Sequence, residues 1–259
     1  MASNSSDGMI KSVQKSLKII KYILKADKEV SIKELQENLG YSPSTIHHLL
    51  KTMIFEGFIS QNSRTKKYNI GRELFNASLK FNNYEKHFII AKDLIQEVVD
   101  ITGETTSIFI KSGNSSVCVY GIEPNKILKA FLVIGRSVPL HSTASGKSLL
   151  AFQPENEINE YIYKTNLLRD TENTIYDKEH LIDELKTTRL RGYALEIDEY
   201  EYEISGVASP IFDDNGEAIA ALTVIGPTGR LKQEKLNQIG KIITKKAMEI
   251  SDLMSNASY

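Results

Sequence analysis

Residues 31–72 constrain the fold most, because they place two short helices, a tight turn and a hairpin in one order. Ser31 and Glu34 have the spacing of a capping box, in which the serine caps a helix and the glutamate reaches back to it. Gly40 then ends this helix, and Ser42-Pro43 begins another with an N-cap and a first-turn proline. The stretch therefore predicts two helices separated by only a few residues.

The second helix has one apolar face and one polar face. Ile46, Leu49, Leu50 and Met53 recur at helical spacing, and small polar or basic side chains occupy the other positions. Two β-runs that enclose a basic turn follow at 58–70. This arrangement suits a DNA major groove, so we predict a winged helix-turn-helix over 10–71 that binds double-stranded DNA. The side chains expected to contact the DNA are Ser42, Ser44, Thr45, His47, His48 and Lys51 in the second helix, and Arg64, Lys66 and Lys67 in the hairpin turn.

Positive charge is concentrated at the N-terminal end of the chain. Residues 1–75 carry twelve Lys or Arg against seven Asp or Glu, a net charge of +5, whereas the whole chain has −1 and the remainder therefore −6. A basic unit on an acidic body is what binding to DNA phosphates by one end requires. A chance fluctuation in surface charge is the alternative, which the helix-turn-helix spacing disfavours.

The composition is that of an ordinary folded protein. With 259 residues, 41% of them hydrophobic and 25% charged, the chain suits one large or two ordinary domains, and disordered and membrane classes are disfavoured. No window approaches the ~18–20 apolar residues of a membrane span, and the first ten residues do not resemble a signal peptide. Cys118 is the single cysteine, which excludes an internal disulfide. These features predict a cytoplasmic protein with no membrane partner.

Hydrophobic periodicity organises the rest of the chain. Residues 1–9 are expected to be a disordered lead, 72–83 a linker helix and 84–259 a second domain. An apolar stripe marks the first helix of the DNA-binding unit, formed by Val13, Leu17, Ile20 and Leu24. The second domain alternates helices and strands in an α+β pattern. Its predicted helices lie at 84–101, 143–152, 155–165, 178–190 and 230–254, and its predicted strands at 105–110, 117–122, 126–134, 193–197, 207–212 and 218–225.

Three groups of motifs, in order along the chain, resemble the IclR family of bacterial transcription regulators. They are STI, LL, EGFI and YNIG at 44–46, 49–50, 56–59 and 68–71; VPLHSTASGKSLLA at 138–151; and RGY, GVASPIFD and GP at 191–193, 206–213 and 226–227. The resemblance implies a winged helix-turn-helix, a linker helix and a C-terminal effector-binding domain with a GAF-like fold. Relatives commonly carry arginines where this chain has Pro43 and His48, so its operator is expected to differ from theirs.

The resemblance also implies that a small effector, usually an organic or aromatic acid, binds in the C-terminal domain. Ala144 and Ser145 match a helix start in that pocket, where backbone N–H groups and the helix dipole can hold a carboxylate. An ordinary capped helix is the alternative there. The other matching pocket positions are Glu196, Gly206, Thr223 and Ile225. Ile225 stands where small hydroxyl residues also occur in relatives, and this apolar wall is expected to favour a bulkier ligand.

Several patterns resemble catalytic motifs without completing them. Gly146-Lys147-Ser148 matches the tail of a phosphate-binding loop, but the glycine required five residues earlier is His141. Ser145 lacks the flanking glycines of a nucleophile elbow. Five histidines and one cysteine at no ligand spacing disfavour a zinc site. We therefore expect no enzyme activity, cofactor or metal. The alternative is a small-molecule enzyme or sensor whose N-terminal helices contact a protein.

The predicted function is that of a sequence-specific transcriptional regulator, a repressor rather than an activator. Two protomers are expected to pair through their N-terminal units and linker helices, which places two recognition helices on a pseudo-palindromic operator. Contacts between effector domains can pair dimers into tetramers. Effector binding and DNA binding are then coupled reciprocally. Duplex binding that weakens steeply with salt would favour this interpretation over the enzyme or sensor alternative.

Overall fold

In the computed structural model of this chain, residues 9–26, 28–74, 76–77 and 91–256 are described. The chain divides into two units, Met1–Asn83 and Tyr84–Tyr259. Apart from Met9, the lead predicted at 1–9 lies outside the described residues. The linker helix predicted at 72–83 is helical at 72–74 and 76–77, and its remainder lies outside them too. Within the described ranges, no helix combines the length and apolar character that a bilayer crossing demands.

The N-terminal unit is a winged helix-turn-helix, as predicted. Its elements are α1 (Lys11–Lys25), α2 (Ile32–Leu39), α3 (Pro43–Phe55), β1 (Ile59–Gln61) and β2 (Tyr68–Ile70). The capping box at the start of α2 is complete: the Glu34 N–H donates to Ser31 Oγ at 3.2 Å, and the Ser31 N–H donates to Glu34 Oε2 at 2.8 Å. Gly40 ends α2 in the left-handed conformation, with φ +68°, and Ser42 caps α3.

The core of this unit is formed by apolar residues from every helix and strand between α1 and β2. Its buried members are Ile19, Ile23, Val30, Leu35, Ile46, Leu50, Met53, Ile59 and Tyr68. On α1, the face that packs inward is therefore the one that carries Ile19 and Ile23. The stripe singled out from the sequence is a second apolar face, because Val13, Leu17 and Leu24 are each about half exposed, at 52–54%.

The C-terminal unit is the predicted α+β domain. Its elements are α4 (Lys92–Thr102), β3 (Thr105–Ser112), β4 (Ser115–Ile122), β5 (Ser137–Pro139), α5 (Ala144–Ala151), α6 (Glu155–Lys164), α7 (Lys178–Arg191), β6 (Ala194–Ile197), β7 (Ile204–Phe212), β8 (Ala218–Pro227) and α8 (Gln233–Asn256). The start of the helix predicted at 84–101 lies outside the described residues. In the part of the domain that is described, six strands pair antiparallel in the order β5-β4-β3-β8-β7-β6.

Alternation along the strands gives the sheet two different faces. Ile108 of β3 and Leu222 and Val224 of β8 pack with α4 and α8 in the main core. Phe109 and Ala221, their neighbours in sequence, belong to a second cluster on the opposite face, with α5. Helices α6 and α7 pack behind α5. The candidate ligand cavity lies on this second face.

The strand predicted at 126–134 is wrong, since the strand in this part of the chain is β5. Two backbone groups of the segment are bonded by side chains instead: Thr105 Oγ1 donates to the Ala130 carbonyl at 2.6 Å, and the Leu132 N–H donates to Glu123 Oε1 at 2.7 Å. Ile127 is fully exposed. Apolar alternation alone could not distinguish a strand from a loop that covers a cavity.

Candidate functional site

Helix α3 carries the residues predicted to contact DNA on its outer face. Ser44, His47, His48 and Lys51 are exposed, as is the cap residue Ser42, and Thr45 is half-buried. The Ser42 hydroxyl is engaged locally, because it accepts from the Thr45 N–H at 3.3 Å. The inner face of the same helix is buried in the core of the unit. The chain therefore presents a polar and basic helix surface that no core residue covers.

The turn of the β1–β2 hairpin holds the other predicted DNA-contacting residues. Arg64 and Lys66 are exposed and Lys67 is half-buried. The side chain of Asn62 fixes the turn, since its Oδ1 accepts from the Arg64 N–H at 2.9 Å and its Nδ2 donates to Glu29 Oε1 at 2.7 Å. The cations thus stand on a turn of defined shape.

A cavity of about 210 Å³ lies in the C-terminal unit, between the sheet and the segments that cover it. Four residues predicted to bind the effector line it: Ser145, Glu196, Thr223 and Ile225. The strand register explains why they meet. Glu196 pairs with Gly206 and Gly206 with Ile225, so residues distant in sequence form one row across β6, β7 and β8.

The two other predicted residues, Ala144 and Gly206, do not line the cavity. They mark the place where α5 approaches the sheet. A Cβ atom on Gly206 would lie 2.9 Å from Ile225 Cγ2 and 3.7 Å from Ala144 Cβ. Gly206 is thus required for close packing, and Ala144 is a small packing residue with no exposed surface.

The carboxyl of Glu196, on β6, already binds a backbone N–H at the start of α5. The Ala144 N–H, predicted to hold a ligand carboxylate, donates to Glu196 Oε2 at 3.0 Å. Glu196 is buried, with 4% of its surface exposed, and burial raises the pKa of its carboxyl to about 8. A helix N-terminus favours an anion, but here the chain supplies the carboxyl itself.

The cavity also contains residues that sequence reasoning missed. Phe109 and Cys118 pair directly across β3 and β4, and the predicted hairpin alternation could have placed both on the cavity face. Arg136, Tyr200 and Glu201 come from loops, where no periodicity indicates direction. The Arg136 guanidinium lies 5.7 Å from the centre of the Tyr200 ring, and its Nη2 lies 3.4 Å from Glu201 Oε2.

The phosphate-loop resemblance at 146–148 is explained by packing. A Cβ atom on Gly146 would overlap the Leu140 Cα and the Pro139 carbonyl oxygen, which makes glycine necessary there. Lys147 is buried and donates to Glu199 Oε1 at 2.6 Å. A lysine held in this way cannot reach a nucleotide phosphate in solvent.

Two other residues that could take part in catalysis, His141 and Cys118, are also held by structural contacts or by burial. Both ring nitrogens of His141 are used, Nδ1 at 3.2 Å from Tyr161 Oη and Nε2 at 2.9 Å from the Leu168 carbonyl oxygen. Burial lowers the pKa of His141 and raises that of the Cys118 thiol to about 12, so the thiol stays protonated. Across the described ranges, no three His, Cys, Asp or Glu side chains are grouped to hold a metal ion.

Two family models match the chain, one in each unit. A model for the IclR helix-turn-helix domain matches residues 12–63, and a model for the C-terminal domain of the bacterial transcriptional regulator IclR matches residues 86–252. Together they cover the winged helix-turn-helix and the domain that contains the cavity.

Individual proteins are similar over nearly the whole chain. The acetate operon repressor of Salmonella typhimurium is 26% identical over 246 residues, which are 94% of this chain and 90% of the relative. The crystal structure of Thermotoga maritima IclR is 32% identical, with a TM-score of 0.73 and coverage of 94% and 98%. An IclR homologue from Microbacterium hydrocarbonoxydans, solved with 4-hydroxybenzoate, has the same fold at 19% identity, with a TM-score of 0.78 and coverage of 95% and 100%.

Proposed function

The chain belongs to the IclR family of transcriptional regulators, and from this premise we propose that it represses transcription from a pseudo-palindromic operator under the control of a small organic or aromatic acid. It combines a DNA-binding helix-turn-helix with an effector-binding domain. The proposal extends to the operator, the effector class and the residues that contact each of them.

The outer face of α3 is the observation that carries the DNA-binding part. Ser44, His48 and Lys51 are exposed on a helix whose inner face, with Ile46 and Leu50, is buried. Side chains of these types can donate to base edges and phosphates when a helix enters the major groove. The cations of the hairpin turn supply further phosphate contacts.

The cavity supports the effector part. It has apolar walls and a few polar groups, which is the usual composition of a small-molecule site. Its volume of about 210 Å³ is smaller than the ~300–1,000 Å³ of sites for drug-sized molecules, so it suits a compact ligand. The 4-hydroxybenzoate bound by the Microbacterium relative is a molecule of this class.

The second apolar face of α1 supports pairing of protomers. Val13, Leu17 and Leu24 are each about half exposed, and a helix face of this kind is commonly covered by a partner. Two-fold pairing through N-terminal units would place two copies of α3 on successive half-sites. The assembly is a dimer or a tetramer, and effector binding biases the affinity of this assembly for DNA.

We place this activity in the cytoplasm and assign the protein no catalytic role. The buried histidine, thiol and lysine of the C-terminal unit are all held by structural contacts or kept protonated. The cavity then serves binding alone, and its ligand is released unchanged. This assignment is tested by recovery of the bound acid in unmodified form after incubation.

Fluorescence anisotropy on a labelled duplex from the chain's own upstream intergenic DNA tests the DNA-binding part, beside a scrambled duplex. We expect selective binding whose association constant falls linearly with salt on logarithmic axes between about 50 and 300 mM KCl. Replacing both His48 and Lys51 with alanine should weaken operator binding at least tenfold, at about 1–3 kcal/mol for each lost contact.

Lys241→Ala is the matched control, because it removes an exposed lysine from α8 in the other unit. It should leave the operator affinity within about twofold, since a single exposed charge outside the helix-turn-helix unit contributes little. Unchanged affinity in the His48 and Lys51 double variant would contradict the assignment of α3. Equal binding to both duplexes at every salt concentration would contradict repression from this upstream operator.

A further inference from the structure

Two ionisable groups of the cavity differ in exposure, the carboxyl of Glu196 and the guanidinium of Arg136, and we call their sides of the cavity the buried end and the open end. Glu196 is 4% exposed, whereas the side chain of Arg136 is 45% exposed. Both residues line the cavity. A ligand that fills this space meets different chemistry at its two ends, which fixes its orientation.

At the buried end, two of the first three amides of α5 are already engaged. The Ala144 N–H donates to Glu196, and the Gly146 N–H donates to Thr143 Oγ1 at 3.1 Å. The hydroxyl of Ser145 lies 3.0 Å from that of Ser116. A ligand carboxylate here would compete with the carboxyl of Glu196 for the Ala144 N–H, whereas a cation elsewhere in the cavity would bind it through stronger, charge-assisted hydrogen bonds.

The open end does offer a cation. Arg136 makes one ion pair, 3.4 Å long, with Glu201, whose side chain is 59% exposed. An exposed pair of this length contributes at most about 1 kcal/mol, so Glu201 can be displaced by a ligand. Lys129 also lines the cavity, but it is engaged with Glu123 at 2.7 Å. The planar guanidinium is in addition suited to binding a carboxylate through two parallel hydrogen bonds.

Other walls of the cavity are apolar or aromatic. Phe109, Leu132, Val138 and Ile225 line it, and the Tyr200 ring lies beside the guanidinium. Such walls favour a flat or branched hydrocarbon body over a small polar acid, because burial of apolar surface contributes about 25 cal/mol per Å².

On the premise of the proposed effector function, we propose that the cavity selects an aromatic monocarboxylate that is bound with its carboxylate on Arg136 and with a hydroxyl at its far end on Glu196. This orientation is the reverse of one in which the start of α5 holds the acid. Because burial raises the pKa of Glu196 to about 8, its carboxyl is mainly neutral at pH 7 and can donate a hydrogen bond without repelling the ligand.

Calorimetric titration of the purified full chain tests the orientation. The probes are 4-hydroxybenzoate, benzoate and 4-hydroxybenzamide, the last an uncharged analogue of the first. We expect Arg136→Gln to weaken binding of 4-hydroxybenzoate at least tenfold, a change of about 1.4 kcal/mol or more, and to leave binding of 4-hydroxybenzamide within about twofold. Benzoate should bind more weakly than 4-hydroxybenzoate, and Glu196→Leu should remove that difference.

Lys241→Gln is the control for loss of one positive charge, since this exposed lysine lies on α8, across the sheet from the cavity. This variant should bind every probe with a dissociation constant within about twofold of that of the parent chain. Undiminished 4-hydroxybenzoate binding in Arg136→Gln would overturn the proposal, as would failure of every probe to bind the parent chain at about 10 mM. Operator binding measured on the same samples separates these outcomes, because a chain that binds its operator but no aromatic acid retains the DNA-binding function and loses only this ligand assignment.

Discussion

Replacing Glu196 with glutamine should make the C-terminal unit more stable, and increasingly so as the pH rises. The carboxyl is buried, and its pKa lies at about 8 instead of the usual 4.5 because burial disfavours its charge. Glutamine has nearly the same shape and keeps an oxygen that can accept from the Ala144 N–H. The variant therefore removes the ionisation and retains the hydrogen bond.

The size of the effect follows from proton linkage. The pKa of Glu196 is raised in the folded state, so its stabilising contribution is complete below pH 4.5 and is lost as the pH rises through about 8. At about 1.4 kcal/mol per pH unit over this interval, the loss reaches about 5 kcal/mol at most. Relaxation and entry of water reduce such costs, and we expect a gain for the variant of about 3 kcal/mol at pH 9 and less than about 1 kcal/mol at pH 5.

The groups around Glu196 do not reverse this sign. Lys147 of α5 lowers the pKa of Glu196, and Glu199 of the loop after β6 raises it. Each of these effects is smaller than that of burial. At the cavity, Arg136 is paired with Glu201. The Cys118 thiol, with a pKa of about 12, stays neutral throughout the range.

Urea unfolding followed by circular dichroism at pH 5, 7 and 9 measures the difference. The transition of the C-terminal unit should move, and that of the N-terminal unit, which is unchanged, should not. Glu201→Gln is the control, because it removes an exposed carboxylate and should alter stability by less than about 1 kcal/mol at every pH. A variant of Glu196 that is less stable than the parent at pH 9, or a difference independent of pH, would refute the reasoning.

Two further substitutions probe the packing around α5. Lys147→Met leaves Glu199 buried without its partner and should lower the free energy of unfolding by about 3 kcal/mol in urea titrations. Adding Glu199→Gln to this variant should recover most of the lost stability. If stability were not recovered, the ion-pair argument would be wrong. Gly146→Ala forces a Cβ into the backbone of Leu140 and should lower the free energy of unfolding by about 1–3 kcal/mol. An unchanged melting temperature would contradict this expectation.

The fold was predictable wherever a local interaction fixes the backbone. The capping box of Ser31 and Glu34 and the N-cap at Ser42 form as the sequence indicates. Gly40 ends α2 with the positive φ of +68° that favours glycine there. Each of these signals acts over two to four residues, so neighbours in sequence are sufficient to specify it.

One choice stayed open and one prediction failed where distant packing decides between local alternatives. On α1, the stripe of Val13 and Leu17 and the pair Ile19 and Ile23 are both apolar and predict the same helix, and only contact with α2 and α3 selects the pair as core. The segment at 126–134 has the apolar character of a strand, but its backbone is bonded by side chains from elsewhere in the domain.

Only part of the cavity lining was predictable from the sequence. The family resemblance implied Thr223 and Ile225, which alternation places on the same face of one strand, and both line the cavity. Arg136 lies in a loop after an irregular segment, where sequence spacing carries no directional information. The bond from Ala144 to Glu196 joins residues 52 apart, so the occupied amide is visible only in the folded chain.

The proposed ligand role of Glu196 would account for a buried carboxyl that lowers stability at high pH. A penalty of about 3 kcal/mol at pH 9 is a sizeable part of the 5–15 kcal/mol by which a typical domain is stable. An apolar residue or a glutamine on β6 would avoid it, and the hydrogen bonds that the carboxyl accepts from the backbone of Ala144 and Tyr200 each change its pKa less than burial does. A carboxyl that is kept neutral by burial, at the closed end of a cavity whose open end carries Arg136, does provide what a stable core residue cannot, namely a donor and acceptor for the far end of an acidic ligand. The stabilisation expected for Glu196→Gln and the ligand preference lost in Glu196→Leu are therefore two consequences of one buried group.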